Sequence, residues 1–197
     1  MSFHPSIERA TIGYLRTDPI LQAVLDWHFE TDGTLDNGDR RFAELAPFMQ
    51  LHELGPDAYR YLYCGTRTPP ARLYGSGFAR SAIGQEGVPD RDYDLALRAD
   101  YFEVMKTGLP VAQTVRSRID VWGTPFFVSY CRYVFVSEVS GKPVVNVCSR
   151  FIEPPTPLGD PARRATCRPD TPSARASDSS AAPFVPSSCT RSARRSR

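Results

Sequence analysis

The side chains of this 197-residue sequence with most to offer chemically are its tyrosines, two histidines, a run of acids and a strand-end cysteine. Tyr59, Tyr61 and Tyr63 alternate along one extended run, and Tyr74, Tyr101, Tyr130 and Tyr133 follow. Phenols turned inward give a pocket with apolar walls and a few hydrogen-bonding points, which suits a small ligand. Tyr61, Tyr63, Tyr74, Tyr101 and Tyr130, with Val115, are the candidate ligand-binding residues. Asp90, Asp92 and Asp94 have the spacing of a paired-acid or metal site, but no His or Cys accompanies them. They stand where a helix begins, and so read as a cap and dipole partners. No catalytic residue and no metal site is assigned. A small cone-shaped α+β enzyme of the isomerase or dehydratase kind is the alternative. It needs an inward acid/base set, and Asp120 with Tyr130 and His52 is the one set to be had, with Asp120 on the polar side of its strand. Cys64, Cys131, Cys148, Cys167 and Cys189 include no C-x-x-C pair and fit a reduced compartment.

Elements must position these groups. Asp18-Pro19 caps and opens a helix whose Ile20, Leu21, Val24, Leu25 and Phe29 share one face, and Asp32-Gly33 ends it. Its apolar stripe predicts self-association, with Leu21, Leu25 and Trp27 as dimer contacts; Trp122, in a hairpin, is a further partner contact. Asp39 caps a short helix over 40–45. Two extended runs, 48–54 and 59–66, are joined by Gly55-Pro56-Asp57. Glycines and Pro69-Pro70 break the next stretch into short pieces, a natural pocket wall. A long helix follows over 90–106, capped by Gly108. The period then falls to two for strands over 111–121, 126–136 and 144–152, the middle one apolar on nearly both faces. The expected fold is α+β, a five-stranded antiparallel sheet with helices on one face and the 18–31 helix flanking it.

Composition sets the boundaries. With 41% hydrophobic residues the chain can bury one core. Residues 155–197 carry eight Arg and three Asp, a net +5; that leaves 16 basic against 19 acidic residues, a net −3, for residues 1–154. The tail has only Leu158, Phe184 and Val185 as large apolar residues and reads as disordered. It lacks Lys, Glu, Asn, Gln, Ile and Tyr, the bias of a GC-rich region read out of frame, whereas a nucleic-acid arm usually carries Lys as well as Arg and often several aromatics. The expected organisation is an N-terminal extension at 1–17, a domain at 18–153 and a tail at 154–197. No run suits a membrane span and the N-terminus lacks a signal pattern, so a cytoplasmic protein without membrane or nucleic-acid partners is expected.

The ordered series Trp27, Phe48-Met49-Gln50-Leu51-His52-Glu53-Leu54, Tyr59-Arg60-Tyr61-Leu62-Tyr63-Cys64-Gly65-Thr66, Tyr74-Gly75 and Lys106-Thr107-Gly108-Leu109-Pro110-Val111 resembles the PAS-like domains of alphaproteobacterial sensor proteins over roughly residues 20–153. The family's phrases "Tyr-Arg-Leu-x-Gly-Thr" and "Thr-Gly-x-Pro-Val" have counterparts here, and Pro69-Pro70 departs from the pattern. The resemblance implies a sheet and short helices enclosing a small cavity, and a sensing or protein-association role with another signalling protein or a second copy as partner. It names no ligand. Haem is not expected, because His28 precedes the sheet and His52 lies in its first strand, away from the family's haem helix. Flavin photochemistry is not expected either, since Cys64 lacks the Asn-Cys-Arg-Phe-Leu phrase and reads as a small buried residue.

Overall fold

A computed structural model describes residues 5–35, 39–75 and 77–159. In chain order these give β1 (Ser6–Arg9), α1 (Ile12–Leu15), α2 (Pro19–Thr31), α3 (Arg40–Leu45), β2 (Met49–Leu54) and β3 (Tyr59–Cys64). Then follow α4 (Pro69–Tyr74), α5 (Phe78–Ser81), α6 (Arg91–Thr107), β4 (Val111–Val121), β5 (Thr124–Val139) and β6 (Lys142–Pro157). The expectations for the tail beyond Gly159 lie outside the described residues. Among those described, no helix is long and apolar enough to cross a membrane.

The helix ends follow local chemistry. Asp18 accepts from the Ile20 and Leu21 amides with Pro19 at the first helical position, and Asp39 and Asp90 do the same work for α3 and α6. Gly108 leaves α6 at φ 69°, the left-handed conformation that glycine adopts without strain. Two-residue turns with positive φ at both positions, Trp122-Gly123 and Ser140-Gly141, join β4 to β5 and β5 to β6.

The sheet has six antiparallel strands in the order β1-β4-β5-β6-β2-β3, where five were expected. The sixth is β1, drawn from the segment set apart as an extension. It pairs Ile7 with Val115 and protects the open edge of β4 with a short, charged strand. Strand β6 also runs past the expected boundary at 153, pairing Thr156 with Phe127.

Helices cover both faces of this sheet, which corrects the one-face expectation. Side chains alternate across a strand, and neighbouring residues here enter different cores. Val111, Tyr130, Val134 and Val147 pack with α6 through Tyr93, Leu97, Tyr101 and Val104. Ala112, Cys131, Tyr133, Phe135 and Cys148 pack instead with Leu21, Val24, Leu25 and Trp27 of α2. The Trp27 indole donates to Asp39 at 2.7 Å, tying α2 to the cap of α3. The α2 stripe therefore docks on the chain's own sheet, and Leu21, Leu25 and Trp27 offer no surface for the dimer contact assigned to them: all three are 0–1% exposed. Trp122 alone of the four is exposed.

The turn from β3 into α4 runs tight against the entry to β2. A Cβ on Gly65 would lie 2.4 Å from both the Ala46 and the Pro47 carbonyl oxygens, backbone atoms that no rotamer change moves. Gly65→Ala is expected to cost about 3 kcal/mol of stability. Gly55→Ala, whose new methyl meets its nearest neighbour at 3.5 Å, is expected to stay within about 0.5 kcal/mol. Urea denaturation of the two variants checks this; equal losses would mean that the close approach at Gly65 is not held.

Candidate functional site

The face of the sheet beneath α6 is largely apolar and carries a polar row across four strands. Gln113 of β4, Arg132 of β5 and Ser149 of β6 stand directly across from one another in register. Gln50 of β2, paired with Val147, adds a fourth group diagonally beyond Ser149. All four are buried, Arg132 to 1% exposure. Burying a guanidinium without partners is prohibitively unfavourable, so its surroundings must answer for it. Arg132 Nε donates to Gln113 Oε1 at 2.8 Å, and Nη2 donates to Asp100 of α6. Gln113 Nε2 closes the ring by donating to Asp100 at 3.0 Å. The guanidinium carbon lies 5.6 Å from the Tyr101 ring centre. Arg132 Nη1 has no hydrogen-bond partner among the described residues.

A void of about 10 Å³ opens beside this guanidinium. Gln50, Ser149 and Arg132 supply its polar floor, Tyr61, Tyr93, Tyr101 and Tyr130 its walls, and Pro69 and Pro70 close it from α4. Such a space matches about one water-sized sphere. The Tyr93 and Tyr130 hydroxyls hydrogen-bond to each other. Burial pushes the Tyr61, Tyr93, Tyr101 and Tyr130 phenols up, so they stay protonated at neutral pH and can donate.

Two buried ionisable groups flank the void. His52 of β2 is fully enclosed, stacked on Tyr101 at 5.1 Å and edge-on to Tyr59 and Tyr61. Neither of its ring nitrogens has a partner, and burial pushes its pKa down to about 3, which keeps the ring neutral. Asp94 sits in the first turn of α6 and does more than face the helix dipole. Its carboxylate accepts from the Tyr59 hydroxyl at 2.6 Å, the Val88 amide at 3.1 Å and Arg98 at 2.7 Å. That knot ties β3, the loop before α6 and α6 itself, and Gly87 must lack a Cβ because one would fall 2.6 Å from Asp94 Oδ1.

The expected ligand residues divide. Tyr61, Tyr101 and Tyr130 line the void. Tyr74 lies apart, in a surface cleft of about 500 Å³ that it shares with Phe78, Val88 and Trp122, its ring 5.7 Å from the indole. Val115 is packed in the apolar core and Tyr63 is half-buried on β3; neither lines the void. The acid/base set is not brought together: Asp120 is exposed and accepts from the Gly123 amide in the β4–β5 turn, while Tyr130 and His52 lie inside. His28 and His52 occupy opposite faces of the sheet, His28 bonding the Tyr133 hydroxyl at 2.8 Å. Cys64 is buried beside Thr68. Among the described residues no group of His, Cys, Asp and Glu could hold a metal ion.

Arg132, Gln113, Gln50, Ser149 and Asp100 went unnoticed in the sequence. One signal was there: Arg132 is the only charge between Pro125 and Ser137, in a strand otherwise fit for burial on both faces. No protein-family model, no curated protein and no solved structure matches this chain.

Proposed function

We propose that residues 5–159 are a PAS-like sensory or binding module. It takes up a small ligand between the sheet and the α4–α6 layer and reports it through association with another protein. The observation that carries this reading is the void itself. Short helices close over the centre of an antiparallel sheet, and the enclosed space is lined by protonated phenols and an unpartnered guanidinium nitrogen. A purely structural core gains by replacing such groups with apolar ones, because buried polar groups left unpaired are costly. Tyr61, Tyr101 and Tyr130 are the ligand contacts, and Trp122, exposed in its turn, is the partner contact. Native mass spectrometry of the full chain purified from cells tests the ligand half of the proposal. A retained non-protein mass supports it. A bare protein mass, with no thermal stabilisation by a panel of small ions and metabolites, overturns it.

A further inference from the structure

We infer that the void under α4 is a site for a monovalent anion of about the size of chloride, held by Arg132 Nη1. This rests on reading the domain as a binding module and says which chemistry it binds. Arg132 spends two of its three nitrogens on Gln113 and Asp100, and the third, in a residue 1% exposed, has no partner among the described residues. Arginine cannot relieve that position by losing its proton. The void beside it has no carboxylate in its lining. Asp100, the only acid bonded to the guanidinium, is already shared with Gln113. Ser149 Oγ, the Gln50 amide, the Tyr61 and Tyr101 hydroxyls and one hydroxyl of the bonded Tyr93–Tyr130 pair can turn a hydrogen toward a bound anion. A charge-assisted hydrogen bond from the guanidinium is the strong contact such a ligand needs.

Size narrows the class. A space that matches about one water-sized sphere excludes ligands carrying more than a few atoms, and a halide, slightly larger than water, enters it as the lining gives by a few tenths of an ångström. Cations are disfavoured by the guanidinium. Sulfate and phosphate are too large and too highly charged for a single arginine already paired with Asp100. A neutral water is the competing occupant, and the experiment separates the two.

The test is the chloride-35 NMR linewidth of sodium chloride titrated with the full chain, with bromide and sulfate as competitors. Binding at the void predicts saturable broadening, reversed by bromide and unaffected by sulfate at matched ionic strength. Ser149→Val fills the void and leaves the guanidinium in place, and is expected to reduce the specific broadening at least fivefold, as is Arg132→Met. Should Arg132→Met fail to fold, as judged by circular dichroism, Ser149→Val decides alone. Broadening that never saturates, or that survives in Ser149→Val, means a water occupies the void and overturns the inference. An organic molecule retained in native mass spectra with no chloride effect means that the space beneath α4 opens wider than about 10 Å³; it sinks the anion site and leaves the binding module standing, while a bare mass with no chloride effect sinks both.

Discussion

Asp100→Ala is expected to destabilise the protein by about 3–5 kcal/mol at pH 7, the largest single-residue effect proposed for this fold. Among the described residues the carboxylate is the only acidic side chain bonded to this buried guanidinium: Arg132 is 1% exposed on its side chain and Asp100 17%. Removing it leaves a full positive charge buried with one neutral acceptor, Gln113 Oε1. The Gln113 amide loses its acceptor as well. Asp100→Asn keeps an oxygen in place and loses the charge, so its cost should fall between wild type and Asp100→Ala. Arg132→Met combined with Asp100→Leu removes both charges and fills their space with apolar groups. It should recover most of the stability lost by Asp100→Ala, since replacing a buried pair whole is often near neutral. Urea denaturation of these four proteins makes the comparison. A loss below about 1 kcal/mol for Asp100→Ala would mean that Arg132 is solvated through the void, and the closed site described above would be wrong.

How far the sequence reached is best judged at particular residues. The caps were legible because they are local: Asp18-Pro19, Asp39, Asp90 and Gly108 each satisfy backbone groups within three or four positions of themselves. The hairpins were legible for the same reason. Strand β1 was not, because four residues with one aliphatic side chain, Ile7, carry no period and become a strand only by pairing with β4. The two-sided burial of the sheet was written in the near-continuous apolar run of β5, which is the pattern of a strand covered on both faces. Its consequence for α2 was misread: an amphipathic stripe says that a helix docks, without saying on what. Part of the site was legible as tyrosines at alternate positions in β3, but the polar row was not. Gln113, Arg132, Ser149 and Gln50 are separated by 17 to 99 positions in sequence, and only the registers of β4, β5, β6 and β2 align them.

His52 makes the second large effect one of pH. In the unfolded chain its imidazole titrates near 6.5, and in the fold burial holds its pKa down to about 3. Between those values the unfolded state binds a proton that the folded state refuses. Stability is therefore full above about pH 6.5 and falls as the pH drops toward 3, by about 1.4 kcal/mol per pH unit. Carboxylates titrate lower, so the window from pH 7 to pH 5 isolates histidine. His28, whose pKa burial also lowers, is present in wild type and variant alike and cancels in their difference. His52→Phe keeps the stack on Tyr101 and removes both unpartnered nitrogens. The variant is expected to match wild type within about 1 kcal/mol at pH 7 and to be about 2 kcal/mol more stable relative to it at pH 5. Denaturation curves at the two pH values read this directly. Parallel pH dependences would show that the folded state protonates His52 near its ordinary pKa. That in turn would require water or an anion within reach of its ring, making the space around Tyr59, Tyr61 and Tyr101 wetter and larger than the closed void beneath α4.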